Sequence, residues 1–333
     1  MIFLYLFLTI LSIYSLIKGA ELLMQGAVSI AEKFHISQLV IASTLIAFGT
    51  GLPTIAVNIA MILISDNGSN IAVGNAIGTN FVNIGLGLGI PAFLTLIRTK
   101  YDVFEKEIPI YLALVGLLTS FVLDGSINRL EGLILLFAYL ITLFIVYQYA
   151  QRSLFTKTLT KEFELDTSTL ETTPTENIST RKSVFLIFIG LIILILFSII
   201  LSYIAPELAY HLNISSYIIG LTVIGIGTSL PTIITSIRAA KKGYIDIILG
   251  NVFGGTIANI ALGLGLPSII KDLSLSNDVL TDIYDFNILN MFMILGILIE
   301  MKLLKKENRT LNKVSGIVII TVYLVYLLNK FVQ

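Results

Sequence analysis

Phe48-Gly49-Thr50-Gly51-Leu52-Pro53-Thr54 lies inside an apolar stretch long enough to cross a bilayer, and its pattern returns as Ile226-Gly227-Thr228-Ser229-Leu230-Pro231-Thr232. A proline in a helix has no N–H to donate, and its ring presses on the carbonyl four residues earlier. Here those carbonyls belong to Gly49 and Gly227. A carbonyl freed in hydrocarbon is costly, so such breaks persist where they face protein, water or an ion. Apolar spans interrupted by Gly and Pro at matching places in two halves of a chain point to a transporter's binding site.

The composition around them belongs to a membrane protein. Of 333 residues, 56% are hydrophobic and 13% are charged, against about 25% charged in a soluble domain. Mean hydropathy is +0.94. Formal net charge is zero, so charge gives no sign of a nucleic-acid partner. The absence of cysteine excludes disulfides, zinc–thiolate sites and iron–sulfur clusters. No Ser/His/Asp set or metal-ligand cluster is legible, and the glycine-rich run Gly74–Gly89 lacks the strand that a nucleotide loop needs. An enzyme is therefore not expected, nor a cofactor. The opening apolar stretch reads as a first span rather than a cleaved signal.

The fold expected is all-α. Ten spans are predicted, at about 2–31, 38–64, 71–97, 109–124, 131–151, 184–206, 216–240, 245–270, 283–301 and 314–331. Residues 1–151 would form a first five-helix unit, 152–183 a cytoplasmic loop rich in Thr, Ser and Glu, and 184–333 a second five-helix unit. With both termini outside, 17 of the 21 Lys and Arg residues fall on inner loops. Only Arg129, Lys271 and Lys330 stay outside, with Lys18 inside the first span. The positive-inside rule sets that orientation in the cell membrane. Lys18 and Glu21, three apart, read as a structural pair or a snorkelling lysine rather than a proton relay.

A second stretch repeats as well. The run from Val73 to Gly89, VGNAIGTNFVNIGLGLG, matches LGNVFGGTIANIALGLG from Leu249 to Gly265 at nine of 17 positions without a gap. Five spans per half is odd, so the second half enters the membrane inverted, an arrangement that lets one central site face each side in turn. Around the motifs gather Thr50, Gly51 and Thr54, with Thr228, Ser229 and Thr232 in the other copy. Thr79 and Asn83 share a helical face on the next span, and their counterparts are Gly255 and Asn259. These neutral oxygens suit a cation, since hard cations take carbonyl, amide and hydroxyl ligands. Thr50, Thr54, Asn83, Thr228, Thr232 and Asn259 are the expected metal ligands. Small polar residues also serve plain helix packing in membranes, which weighs against any one of them taken singly.

These paired motifs resemble those of the sodium/calcium exchanger family of cation antiporters. The similarity extends to the approach, His35-Ile36-Ser37 before the first copy and Asn213-Ile214-Ser215 before the second. The resemblance implies ten spans, an inverted repeat, helices two and seven broken at the motif, and inorganic cations as cargo. It also implies a glutamate at the end of each motif gripping calcium. This chain has Thr54 and Thr232 there, and Asn259 where the family carries an acid. Calcium affinity follows ligand charge count, and a divalent ion at the midplane without a carboxylate is poorly compensated. Sodium is therefore the expected ion in an alternating-access antiporter. The alternatives are a carrier of the same fold with another monovalent cation or an anion as cargo, and a membrane scaffold that moves nothing.

Overall fold

The computed structural model describes residues 2–33, 46–98, 101–160, 179–212, 216–241, 245–277, 279–281, 283–284 and 310–332. The helices are α1 (Ile2–Lys33), α2 (Ala47–Ile64), α3 (Gly68–Leu94), α4 (Tyr101–Phe121), α5 (Arg129–Thr160), α6 (Thr180–Leu212), α7 (Tyr217–Lys241), α8 (Ile245–Ala261, continued past a turn by Gly265–Ile270) and α9 (Lys313–Val332). Among the described residues, six carry stretches long and apolar enough to cross a membrane: α2, α3, α5, α6, α7 and α8. Shorter apolar stretches lie in α1, α4 and α9. The expected ninth span, 283–301, falls outside the described residues beyond its first two. Helix α5 runs to Thr160 and α6 starts at Thr180, so helix extends into the stretch expected as a loop.

Burial sorts the helices into two layers. The spanning stretches of α2, α3, α7 and α8 are 67% to 83% buried, whereas those of α5 and α6 are 22% and 18% buried. The inner four share one apolar core that includes Phe81, Val82, Val252, Phe253 and Ile257. The outer helices turn Phe137, Leu140 and Phe144 of α5, Phe185, Phe188 and Ile192 of α6, and Val318, Val325 and Leu328 of α9 outward. In water such a belt would be a liability; in lipid it is the solvent face.

Helices α1 and α6 lie antiparallel along each other. Ser183 donates to Ser29 at 3.0 Å, and at the other end the rings of Tyr5 and His211 stack at 5.5 Å. A smaller apolar cluster joins this pair to the inner helices through Leu16, Val57, Met61, Ile71, Leu194 and Leu201. Lys18 and Glu21 form the expected ion pair, at 2.9 Å.

Two short antiparallel ladders tie helix ends together. β1 (Ile97–Arg98) pairs with β4 (Thr310–Leu311), joining the end of α3 to the start of α9. β2 (Ser126–Ile127) pairs with β3 (Leu273–Ser274), joining the start of α5 to the end of α8.

The proline motifs behave differently from expectation. Pro53 lies inside α2 and Pro231 inside α7, and both helices continue past it. Over the described residues, helices two and seven are thus not broken at the motif. The physical reason is local: one proline removes one N–H···O bond, and the turns on either side still close. The departures from α geometry sit elsewhere, as π-helical stretches at Gly220–Ile224 in α7 and Asn83–Leu88 in α3. Such π segments are frequent where a helix serves a site.

The first π stretch lies where α3 and α7 cross with backbones in contact. A Cβ at Gly78 would sit 2.0 Å from the Leu221 carbonyl oxygen, a main-chain atom that cannot turn aside. Gly78→Ala is expected to destabilise the protein by about 1–3 kcal/mol. Thermal unfolding in detergent checks it against Gly116→Ala, where a Cβ meets nothing within 4 Å.

Candidate functional site

Four inner helices bring the motif residues to one place. Helix α2 supplies Thr50, Gly51 and Thr54; α3 supplies Thr79 and Asn83; α7 supplies Thr228, Ser229 and Thr232; α8 supplies Asn259. Each of these polar side chains is at most 3% exposed. A buried hydroxyl or amide needs partners, so the accounting is informative.

The hydroxyls form a cluster. Thr79 and Thr228 lie 2.9 Å apart, oxygen to oxygen, across the α3–α7 crossing, and either can donate. Thr54 approaches Thr79 at a longer 3.4 Å. Asn75 Oδ1 accepts from Thr228 at 3.1 Å and from Thr79 at 3.3 Å. Ser229 donates to the Gly225 carbonyl at 2.7 Å and also reaches the Thr79 carbonyl. Thr50 donates to Asn251 Oδ1 at 3.0 Å. Thr232 enters the network through its carbonyl, which accepts from Asn251 Nδ2 at 3.3 Å.

Asn83 and Asn259 differ from these. The Oδ1 of Asn83 and both amide atoms of Asn259 are buried without a protein partner. Each amide lies against a glycine on a facing helix. A Cβ at Gly51 would come within 3.2 Å of Asn259 Oδ1, and one at Gly255 within 3.7 Å of Asn83 Nδ2. The missing side chains leave these amides their room. Asn80 Oδ1 is likewise partnerless and buried. Among the described residues no three His, Cys, Asp or Glu side chains come together. A cation here would meet neutral oxygens.

Four side chains escaped the sequence reading. Asn75 and Asn251 occupy matched positions of the repeated run, and each accepts from a motif threonine of the other half. Their amide nitrogens are held from behind. Asn75 Nδ2 donates to Asn58 Oδ1 at 2.7 Å, and Asn251 Nδ2 reaches Ser236 Oγ at 3.3 Å. Asn58 and Ser236 stand four residues beyond Thr54 and Thr232, one turn on along the same face. That spacing, with the shared asparagine of the run, was the available signal. With each nitrogen engaged, the asparagine presents its oxygen to the threonine, and the orientation is fixed by the network.

Asn58 also donates to the Gly263 carbonyl at 2.7 Å, in the turn that interrupts α8. Asn58→Ala would strand Asn75 Nδ2 and that carbonyl in the interior. A loss of about 1–3 kcal/mol is expected, read as a lower midpoint of thermal unfolding. A stability equal to the parent's would show that water or a shifted side chain replaces both bonds.

A bundle with apolar helices outside and a dense polar knot between its four inner helices defines a multi-pass membrane protein. The description of the sodium/calcium exchanger protein family matches residues 4–148 and 182–332, and the chain belongs to that family. The inner membrane protein YrbG of Escherichia coli K12 is 32% identical over 265 residues, 79% of this chain and 79% of that protein. The sodium/calcium exchanger MaX1 of Methanosarcina acetivorans is 27% identical over 297 residues, covering 80% of this chain and 83% of the relative. Among solved structures, the sodium-calcium exchanger NCX_Mj superposes with a TM-score of 0.64 at 27% identity over 98% of both chains. MaX1 and NCX_Mj are named sodium/calcium exchangers, and the chain shares the helical membrane fold of NCX_Mj.

Proposed function

We propose that this protein is a secondary active cation antiporter that exposes one midplane site alternately to each side of the membrane, with sodium as the bound ion. The observation that carries the reading is the pairing of a hydroxyl cluster, Thr54, Thr79 and Thr228, with the partnerless buried amides of Asn83 and Asn259. A monovalent cation is well served by neutral oxygens. Calcium would bring two charges to a place with no carboxylate, and calcium exchange is correspondingly weak.

The architecture proposed is ten spans in two inverted halves, 1–151 and 184–333, joined by a cytoplasmic segment at 152–183, with both termini outside. Correspondences across the chain support it. The threonine–asparagine pairs Thr50–Asn251 and Thr228–Asn75 exchange partners between the halves. The ladders join the third span to the tenth and the fifth to the eighth. Close glycine contacts follow the same rule: a Cβ at Gly316 would lie 2.7 Å from the Gly89 carbonyl oxygen, and one at Gly132 2.8 Å from that of Gly265. Helices α1 and α6, packed together outside the inner four, are the pair that rocks across the core.

An anion as cargo loses its argument. It needed the positive end of a half-helix at the site, and α2 and α7 run through their prolines. Purified protein in liposomes loaded with sodium tests the reading. Radioactive sodium is expected to enter in exchange, with calcium entering much more slowly. If neither ion moves, the antiporter reading fails.

A further inference from the structure

We propose that the site also crosses the membrane unloaded, so that sodium moves by uniport as well as by exchange. This rests on the antiporter reading and concerns how the same site turns over.

The first ground is charge. Thr50, Thr54, Asn75, Thr79, Thr228 and Asn251 are all neutral and at most 3% exposed. A carboxylate at that depth has to be neutralised by a cation or a proton before it is carried through a low-dielectric passage. That demand forbids the return of an empty anionic site and makes exchange obligatory. Hydroxyls and amides make no such demand. The loaded site carries one positive charge and the unloaded site none, so each uniport cycle moves one charge.

The second ground is hydrogen bonding. A polar group taken into the interior is penalised when it lacks a partner. Here the hydroxyls of Thr50, Thr79 and Thr228 partner protein groups. Thr228 lies 2.9 Å from Thr79, and Asn75 Oδ1 is within reach of both, at 3.1 Å and 3.3 Å; Asn58 holds Asn75 at 2.7 Å; Thr50 bonds Asn251 at 3.0 Å. These groups are held by protein partners without a guest. Asn83 and Asn259 leave partnerless atoms, but these are dipoles, which a water molecule meets. An ionised carboxylate has no such inexpensive remedy. Charge, more than fold, is what separates a strict exchanger from a leaky one, and this frame keeps the fold without the charge.

The test uses liposomes holding the full chain and only N-methylglucamine gluconate inside. Radioactive sodium is added outside with thiocyanate, whose inward diffusion makes the lumen negative. Saturable sodium uptake is expected within about tenfold of the exchange rate seen with luminal sodium, and it should rise with the imposed potential. Uptake below about one hundredth of exchange would overturn the inference while leaving the antiporter reading intact. Failure of sodium to move under either condition overturns both. In Thr54→Glu with Thr232→Glu, the uncoupled component is expected to fall more than about tenfold relative to exchange. An unchanged ratio in folded variant would refute the charge argument. If the variant does not fold, the parent protein's dependence on luminal sodium decides.

Discussion

Glutamate at both motif threonines, Thr54→Glu with Thr232→Glu, is expected to raise calcium affinity by about 100-fold or more, roughly 2.7 kcal/mol. Thr54 is fully buried and Thr232 only 2% exposed, so the new charges would lie out of water. Two uncompensated carboxylates there are unfavourable, and a divalent cation relieves both at once. Ligand charge is the quantity through which oxygen sites tune calcium binding. Space is the competing term, because extra atoms in a packed interior cost about 1–3 kcal/mol. Gly87 eases it in part: a Cβ there would stand 3.7 Å from the Thr232 methyl, in ordinary contact, so the glycine leaves about a methyl's space on that side. The control is Thr54→Gln with Thr232→Gln, which adds the same bulk without charge. Calorimetry on detergent-solubilised protein should show calcium binding to the glutamate pair only. If both folded variants bind calcium equally poorly, the threonines do not face a cation site.

Much of this arrangement was legible in the chain because a membrane restricts the options. Apolar runs of about 20 residues have few alternatives to spanning helices, and the described helices fall on the expected spans. The repeat was legible because glycines of the run meet the backbone of a facing helix whatever the cargo, as at Gly74 and Gly78, where a Cβ would press on the carbonyl oxygens of Tyr217 and Leu221. The unbroken course of α2 and α7 was not legible. Proline signals the loss of one hydrogen bond, but whether a helix then opens depends on neighbours that the sequence does not place. The partners Asn75 and Asn251 were missed for a related reason. Their role appears only once Thr228 and Thr50, distant in the chain, are brought beside them; the shared asparagine of the run marks the residues but not their partners. The absence of charge at positions 54 and 232 was visible at once, since it depends on residue identity alone.

Asn259→Leu is expected to separate stability from transport. Sodium flux should fall about 100-fold, while the thermal midpoint holds or rises. Asn259 is fully buried, and neither its oxygen nor its nitrogen has a protein partner. Leaving an amide in that condition costs about 1–3 kcal/mol. Leucine has the same number of side-chain heavy atoms in the same branched outline and nothing to satisfy, so in a protein selected for stability alone it would be the better residue. Retaining an amide against that gradient is the mark of a group kept for a guest. Gly51 adds to the argument: a Cβ there would come within 3.2 Å of the amide oxygen, so two facing helices leave that oxygen clear. A helix-packing role predicts the opposite pair of outcomes, a lower midpoint with flux preserved. Asn83→Leu tests the partner amide in the same way, since its oxygen is equally without a donor. Loss of transport in both variants, each as stable as the parent, would assign the two amides to the ion. Normal flux in both would remove them from the site and leave the hydroxyl cluster to hold it alone.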